Sequence, residues 1–204
     1  PGASRVYGST GGGSRVGLSG VLAGDDVDAS LTLLGGGALA VNTPVGDYVV
    51  GVGGLTGASA SNYLLGGTSG ATLAGLTITP RPLTYAIAGA GSTYGTLATL
   101  GAADLSGVVT GDSVSATVRL SNGVTLSDRL HAGTYGQTVT SLTGASAANY
   151  SLASSGNSDG GLTIGRKQLG VAYLAPIITY TYGSPQDLLR LSGILSGDEV
   201  IPTL

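Results

Sequence analysis

The stretch Leu55-Thr-Gly-Ala-Ser-Ala-Ser-Asn-Tyr63 returns 87 positions later as Leu142-Thr-Gly-Ala-Ser-Ala-Ala-Asn-Tyr150, with eight of nine residues identical. A chain that repeats itself in this way must fold the same unit more than once. Other landmarks keep the same order and nearly the same spacing. Tyr7-Gly8 returns as Tyr94-Gly95 and Tyr182-Gly183, and Ser19-Gly-Val-Leu-Ala-Gly-Asp25 returns as Ser106 to Asp112 and Ser192 to Asp198. Leu76-Thr-Ile78 returns as Leu162-Thr-Ile164. A period of this length suits a small domain and is too long for one solenoid coil. The register places repeat 1 at residues 1–79, repeat 2 at 80–165 and repeat 3 at 166–204.

Residues Arg81 to Thr93 precede the Tyr-Gly pair of repeat 2, and Leu83 to Ile87 among them reads as a strand. Only Pro1 to Val6 stand before the pair in repeat 1, and repeat 3 stops soon after its Gly-Asp. Repeat 1 is therefore expected to lack its first strand and repeat 3 its second half, as in a stretch of a longer polypeptide. The partners expected are other repeats of the same or neighbouring chains. One route to a homopolymer is donation of Lys167 to Tyr180 to the open edge of repeat 1 in the next copy.

Local patterning predicts an all-β chain. Glycine makes up 38 of 204 residues and recurs between β-branched residues, both unfavourable to helices. Val114, Ala116, Val118 and Leu120 alternate with polar residues, the period of a half-buried strand. Tyr48 to Val52, Gln137 to Leu142 and Leu76 to Thr79 read as further strands, with Gly-Asp and Asn-Gly turns between them. Short strands at such intervals predict tandem immunoglobulin-like antiparallel β-sandwich repeats, with β-grasp-like repeats as the alternative. Gly-Ala-Ser-Ala-(Ser/Ala)-Asn-Tyr reads as one helical turn opening into a strand. Tyr63 and Tyr150 are expected to be buried sandwich-corner tyrosines, their hydroxyls bonding back to corner backbone, with Asn62 and Asn149 in left-handed or capping positions. Ile78-Thr-Pro-Arg-Pro82 reads as a short, stiff linker.

Composition removes several function classes. A net charge of −3 with eight basic residues lacks the footprint that nucleic acid requires. The absence of cysteine excludes disulfides, thiolate zinc sites and thiol nucleophiles. No apolar run reaches the roughly eighteen residues of a membrane helix. His131 is the only histidine; its counterpart in repeat 1 is Pro44 and no Gly-x-Ser-x-Gly elbow frames a nucleophile, so no catalytic residue and no enzyme activity is expected. Gly11-Gly-Gly13 and Gly35-Gly-Gly37 lack the Lys-Ser/Thr of a phosphate-binding loop. Asp25, Asp26 and Asp28 are the densest carboxylates and the one candidate for a cofactor, calcium, although repeat 2 has a single acid there.

Tyr94-Gly95, Leu105-Ser-Gly-Val-Val-Thr-Gly-Asp112, Ala132-Gly-Thr-Tyr135, Leu142 to Tyr150 and Leu162 to Ile164, with the same landmarks in repeat 1, together resemble the MBG/YDG-type repeats. These are glycine-rich β modules of large bacterial exoproteins of the filamentous-haemagglutinin kind. The resemblance implies an extracellular or cell-surface location and a structural role in the stalk of a secreted adhesin or a matrix fibre. It lends no catalytic residues. The alternative is a module that grips glycan or a host protein through loops at one end of each sandwich.

Overall fold

In the computed structural model, residues 3–10, 17–34, 36–66, 75–173 and 189–201 are described. They form β-strands joined by turns, with two 3₁₀ turns and no α-helix among the described residues. The chain packs as two units. The first takes Pro1–Tyr85, Leu105–Thr117 and Ser141–Asn157; the second takes Ala86–Asp104, Val118–Thr140 and Ser158–Leu204. Each unit thus draws on more than one repeat.

The same strand arrangement is built twice. β1 (Ala3–Val6) lies parallel to β5 (Leu76–Thr79), with Ala3 opposite Leu76 and Val6 opposite Thr79. β7 (Ala90–Thr93) lies parallel to β12 (Gly161–Gly165) in the equivalent register, Ala90 opposite Leu162. The other edge of each closing strand pairs antiparallel with the strand carrying the Gly-x-Tyr landmark. Tyr48 of β3 (Gly46–Tyr48) faces Leu76, and Tyr135 of β10 (Gly133–Thr143) faces Leu162.

These sheets are mixed, which corrects the antiparallel expectation. Alternation of side chains reports which face is buried but carries no information about strand direction. Parallel neighbours need a long connection, and the body of each repeat, running from opening to closing strand, supplies it. Two further small sheets are formed. β2 (Asp28–Leu33) pairs antiparallel with β4 (Val50–Thr56). β6 (Arg81–Ile87) lies between β11 (Tyr150–Leu152) and β8 (Ala103–Ser106), with Tyr150 opposite Arg81 and Leu152 opposite Leu83 in parallel. β9 (Ser115–Leu120) extends the sheet of β7, β12 and β10 beyond β10, and β13 (Gly170–Tyr173) pairs antiparallel with β14 (Leu189–Ser192).

Several readings need amendment at this level. The expected linker is mostly strand: β5 ends at Thr79, β6 starts at Arg81, and Pro80 alone separates them. The tyrosines whose hydroxyls return to nearby backbone are Tyr48, bonded to the Pro44 carbonyl, and Tyr135, bonded to the His131 carbonyl, both at 2.9 Å. Tyr63 and Tyr150 have other partners, given below. The strand expected to pass from copy to copy, Lys167 to Tyr180, pairs through β13 with β14 of its own chain, and its residues 174–180 lie outside the described residues.

Two apolar clusters form the cores. One gathers Tyr7, Val50, Leu76, Ile78, Leu83 and Tyr150; the other gathers Ala98, Leu120, Leu130, Leu162 and Ile164. Where repeat 1 buries Val50, repeat 2 buries Gln137, whose exposure is 0%. Its side-chain oxygen accepts the Gly101 N–H at 2.7 Å. Gln137→Leu should therefore lower stability by about 1 to 3 kcal/mol, because the partly buried Gly101 amide would lose its acceptor. Chemical denaturation of the two proteins checks this; an unchanged midpoint would mean that the amide finds water.

Candidate functional site

The Gly-Asp landmark folds as a tight turn in all three repeats. The Asp25, Asp112 and Asp198 N–H groups donate to the carbonyls of Leu22, Val109 and Leu195 at 3.0–3.1 Å. The glycine before each aspartate has φ between 91° and 97°. This is the left-handed conformation that the third position of a type II turn demands, and glycine adopts it without penalty.

A tyrosine hydroxyl locks two of these turns. The Tyr150 hydroxyl accepts the Val109 N–H at 3.0 Å and donates to the Asp112 carboxylate. The Tyr63 hydroxyl makes the same pair of bonds, to the Leu22 N–H and to Asp25. Each tyrosine is delivered by its 3₁₀ turn, Ala60–Asn62 or Ala147–Asn149, and enters with extended backbone. The helical turn opening into a strand, read from the sequence for both motifs, is seen in repeat 2, where β11 begins at Tyr150; residues 63–66 of repeat 1 form no strand.

The tyrosine of the Tyr-Gly landmark reaches into the next repeat. Tyr7 donates its hydroxyl to Asp112 at 3.0 Å, and its ring meets Tyr150 edge-on with centroids 5.4 Å apart. One carboxylate thus takes hydrogen bonds from two tyrosines belonging to successive repeats. Asn149 adds a bond across the same junction, accepting the Val45 N–H at 3.0 Å. Gly8, at φ 75°, lets the backbone close on the turn, since a Cβ there would stand 2.3 Å from Val109 Cγ2.

The second unit forms the same junction between repeats 2 and 3. Tyr94 donates to Asp198 at 3.0 Å, and a Cβ on Gly95 would stand 2.5 Å from Leu195 Cδ1. Arg129 adds an ion pair to Asp198 at 3.0 Å and a bond to the Ser196 carbonyl at 2.7 Å. Its counterpart in repeat 1 is Asn42, so this charge is particular to the second junction. A cavity of about 220 Å³ lies beside it, lined among others by Tyr94, His131, Arg166, Lys167 and Leu195. The His131 ring stacks on Tyr94 with centroids 6.4 Å apart.

The carboxylates proposed for calcium do not converge. Asp25 is held by Tyr63, Asp26 accepts the Ala58 N–H at 3.2 Å, and Asp28 sits in β2 opposite Thr56. No group of three or more acids or histidines that could hold a metal ion occurs among the described residues. Adding a chelator should leave the melting temperature of the chain unchanged within error; a large drop would restore Asp25 as a ligand. Tyr150 is buried as expected, at 6% exposure, whereas Tyr63 is only half-buried. Asn62 and Asn149 end the 3₁₀ turns, and Asn149 is an acceptor between repeats rather than a cap. Sequence reasoning missed Tyr7, Tyr94, Asp112 and Asp198 as partners. The joint recurrence of Tyr-Gly and Gly-Asp was the available signal.

Burial, and then the Asp112 carboxylate, push the Tyr150 phenol up to about 12. The same two causes raise Tyr7. In the unfolded chain these phenols ionise near pH 10. Between about pH 10 and 12 the folded state therefore holds protons that the unfolded state has released, so stability falls as pH rises through that window and is unaffected below it. The loss on reaching pH 12 should be about 2 kcal/mol from Tyr150, at about 1.4 kcal/mol per unit. Denaturant midpoints measured across this range check it, and Tyr150→Phe should flatten the decline.

No family model matches the chain, and comparison with curated proteins and with solved structures likewise gave no match. No helix among the described residues is long and apolar enough to cross a membrane.

Proposed function

We propose that this chain is a run of structural repeats from the stalk of a secreted bacterial surface adhesin or extracellular matrix fibre. The observation that carries the reading is the junction: the Tyr-Gly tyrosine of one repeat is bonded to the Gly-Asp aspartate of the next, once in each unit. A repeat that supplies both halves of such a contact can be added in any number without new chemistry, which is what a length-setting protein needs. The low charge and the abundance of glycine accord with the MBG/YDG-type resemblance. The immunoglobulin-like facing of the sheets belongs to the same proposal and is supported by the corner bonds of Tyr48 and Tyr135. No catalytic role is assigned.

The test is location. Antibodies to the chain, applied to intact cells of the producing organism, should label the surface, and external protease should remove the label. Labelling only after permeabilisation overturns the proposal. The second reading, a glycan- or protein-binding module, draws on the cavity with the stacked Tyr94 and His131 rings. Sugars pack on such aromatic faces. Glycan-array binding that is lost in His131→Ala would favour it.

A further inference from the structure

The turn that ends β9 holds Ser121-Asn122-Gly123, and Asn122 is the only one of the five asparagines followed by glycine. Asn122 and Gly123 are both exposed. The Val124 N–H donates to the Asn122 Oδ1 at 3.2 Å, an Asx turn that folds the carboxamide back over the Gly123 peptide. The same bond draws electron density from the Cγ carbonyl and leaves its carbon more electrophilic.

Gly123 brings the nucleophile. At φ 72° it has nothing within 4 Å of the place a Cβ would take, so neither a side chain nor a neighbour shields its amide. Its N–H bonds to the Leu120 carbonyl at 3.3 Å, beyond the usual range, so the amide turns out of that bond at small cost. Glycine also gives the backbone the freedom to make that rotation.

The other asparagines lack this combination. Asn42 precedes the β-branched Thr43, and Asn62 precedes Tyr63, so a side chain crowds each following amide. Asn149 is engaged by the Val45 N–H across the junction. Asn157 is held at both ends, accepting the Tyr85 N–H at 3.2 Å and donating to the Ala153 carbonyl at 2.7 Å. Repeat 1 has Leu34-Gly35-Gly36 in the equivalent place, so the feature is particular to repeat 2.

We propose that Asn122 is a site of spontaneous backbone modification through a cyclic imide. The Gly123 nitrogen gives its proton to hydroxide and attacks the Asn122 Cγ. The new N–Cγ bond forms as the Cγ–Nδ2 bond breaks, and ammonia leaves with a proton from water. Water then opens the ring at either carbonyl. Attack at Cγ leaves an ordinary aspartate; attack at the main-chain carbonyl leaves isoaspartate, with the chain running through the former side chain. Water is consumed, ammonia is released, and nothing is oxidised or reduced. Each modified chain gains one negative charge and, as isoaspartate, one extra methylene in the backbone at the end of β9. The inference rests on this turn alone and is independent of the stalk reading.

Incubation of the full chain at neutral and mildly alkaline pH, in ordinary and heavy-oxygen water, tests it by peptide mass mapping. Trypsin releases Asn122 in the peptide Leu120 to Arg129. That peptide should gain the mass of an amide-to-acid exchange, take up one heavy oxygen, and become a substrate for isoaspartyl methyltransferase. Its conversion should rise with hydroxide concentration, while the peptides holding the other asparagines stay at their starting level. Asn122→Gln, an exposed change whose ring would need six members, should show complete loss of the acid form with unchanged far-ultraviolet dichroism. An intact Asn122 in the folded chain overturns the proposal, most plainly where the urea-unfolded chain converts, because the turn then protects the residue. Conversion without isoaspartate also overturns it, since direct hydrolysis needs no Gly123 nitrogen. So does equal conversion at Asn149 or Asn157.

Discussion

Replacing Leu83 by alanine should cost the folded chain about 3 to 5 kcal/mol, the upper range for a buried leucine. Leu83 has 0% exposure and belongs to the cluster of Tyr7, Val50, Leu76, Ile78 and Tyr150. It sits on β6 with Leu152 of β11 opposite, and its own carbonyl accepts the Ala153 N–H at 2.8 Å. Strands hydrogen-bonded on both edges cannot move inward to fill the hole, so lost contacts and an unrelaxed cavity add together. Leu65→Ala is the control. Leu65 is the repeat 1 counterpart of Leu152, stands 47% exposed, and should change stability by about 0.5 kcal/mol or less. Guanidinium unfolding followed by tyrosine fluorescence measures both. A cost below about 1 kcal/mol for Leu83→Ala would show that β6 does not anchor this core.

The comparison of Leu65 with Leu152 also shows what the sequence made legible. Strand positions were readable wherever polar and apolar residues alternate, as in Ser115–Leu120 and Leu76–Thr79. The 3₁₀ turn before Tyr63 and Tyr150 was readable from one motif occurring twice. Strand direction was not, since a parallel β1–β5 pair and an antiparallel one bury the same alternate residues. Nor were the junction partners. Tyr7 and Asp112 are 105 positions apart. Because the landmarks recur at nearly one period, spacing alone cannot distinguish a tyrosine bonded within its repeat from one bonded to the next. Tyr63 shows the remaining limit. Its motif is nearly that of Tyr150, but burial depends on what covers the ring, and that residue belongs to another repeat.

Asp112→Ala should lower stability by about 2 to 4 kcal/mol, well beyond the effect of the equivalent change at Asp25. Asp112 is the acceptor for both Tyr7 and Tyr150, whose exposures are 2% and 6%, so its removal strands two buried hydroxyl donors. Each unsatisfied buried group costs about 1 to 3 kcal/mol, partly offset here because Tyr150 keeps the Val109 N–H as donor to its oxygen. Among the described residues Asp25 serves one tyrosine, and the half-buried Tyr63 can turn to water when its acceptor is lost. Tyr7→Phe and Tyr150→Phe should each cost less than Asp112→Ala, with Tyr150→Phe the worse because it also strands the Val109 amide. Combining Tyr7→Phe with Asp112→Ala then separates the bond between repeats from the lock within one. If Tyr7 spans the junction through Asp112, the pair should show a coupling of about 1 kcal/mol, because the second change finds the bond already gone. Additive losses, or an Asp25→Ala cost equal to that of Asp112→Ala, would mean that the aspartate merely holds its own turn and that the contact between successive repeats contributes nothing to stability.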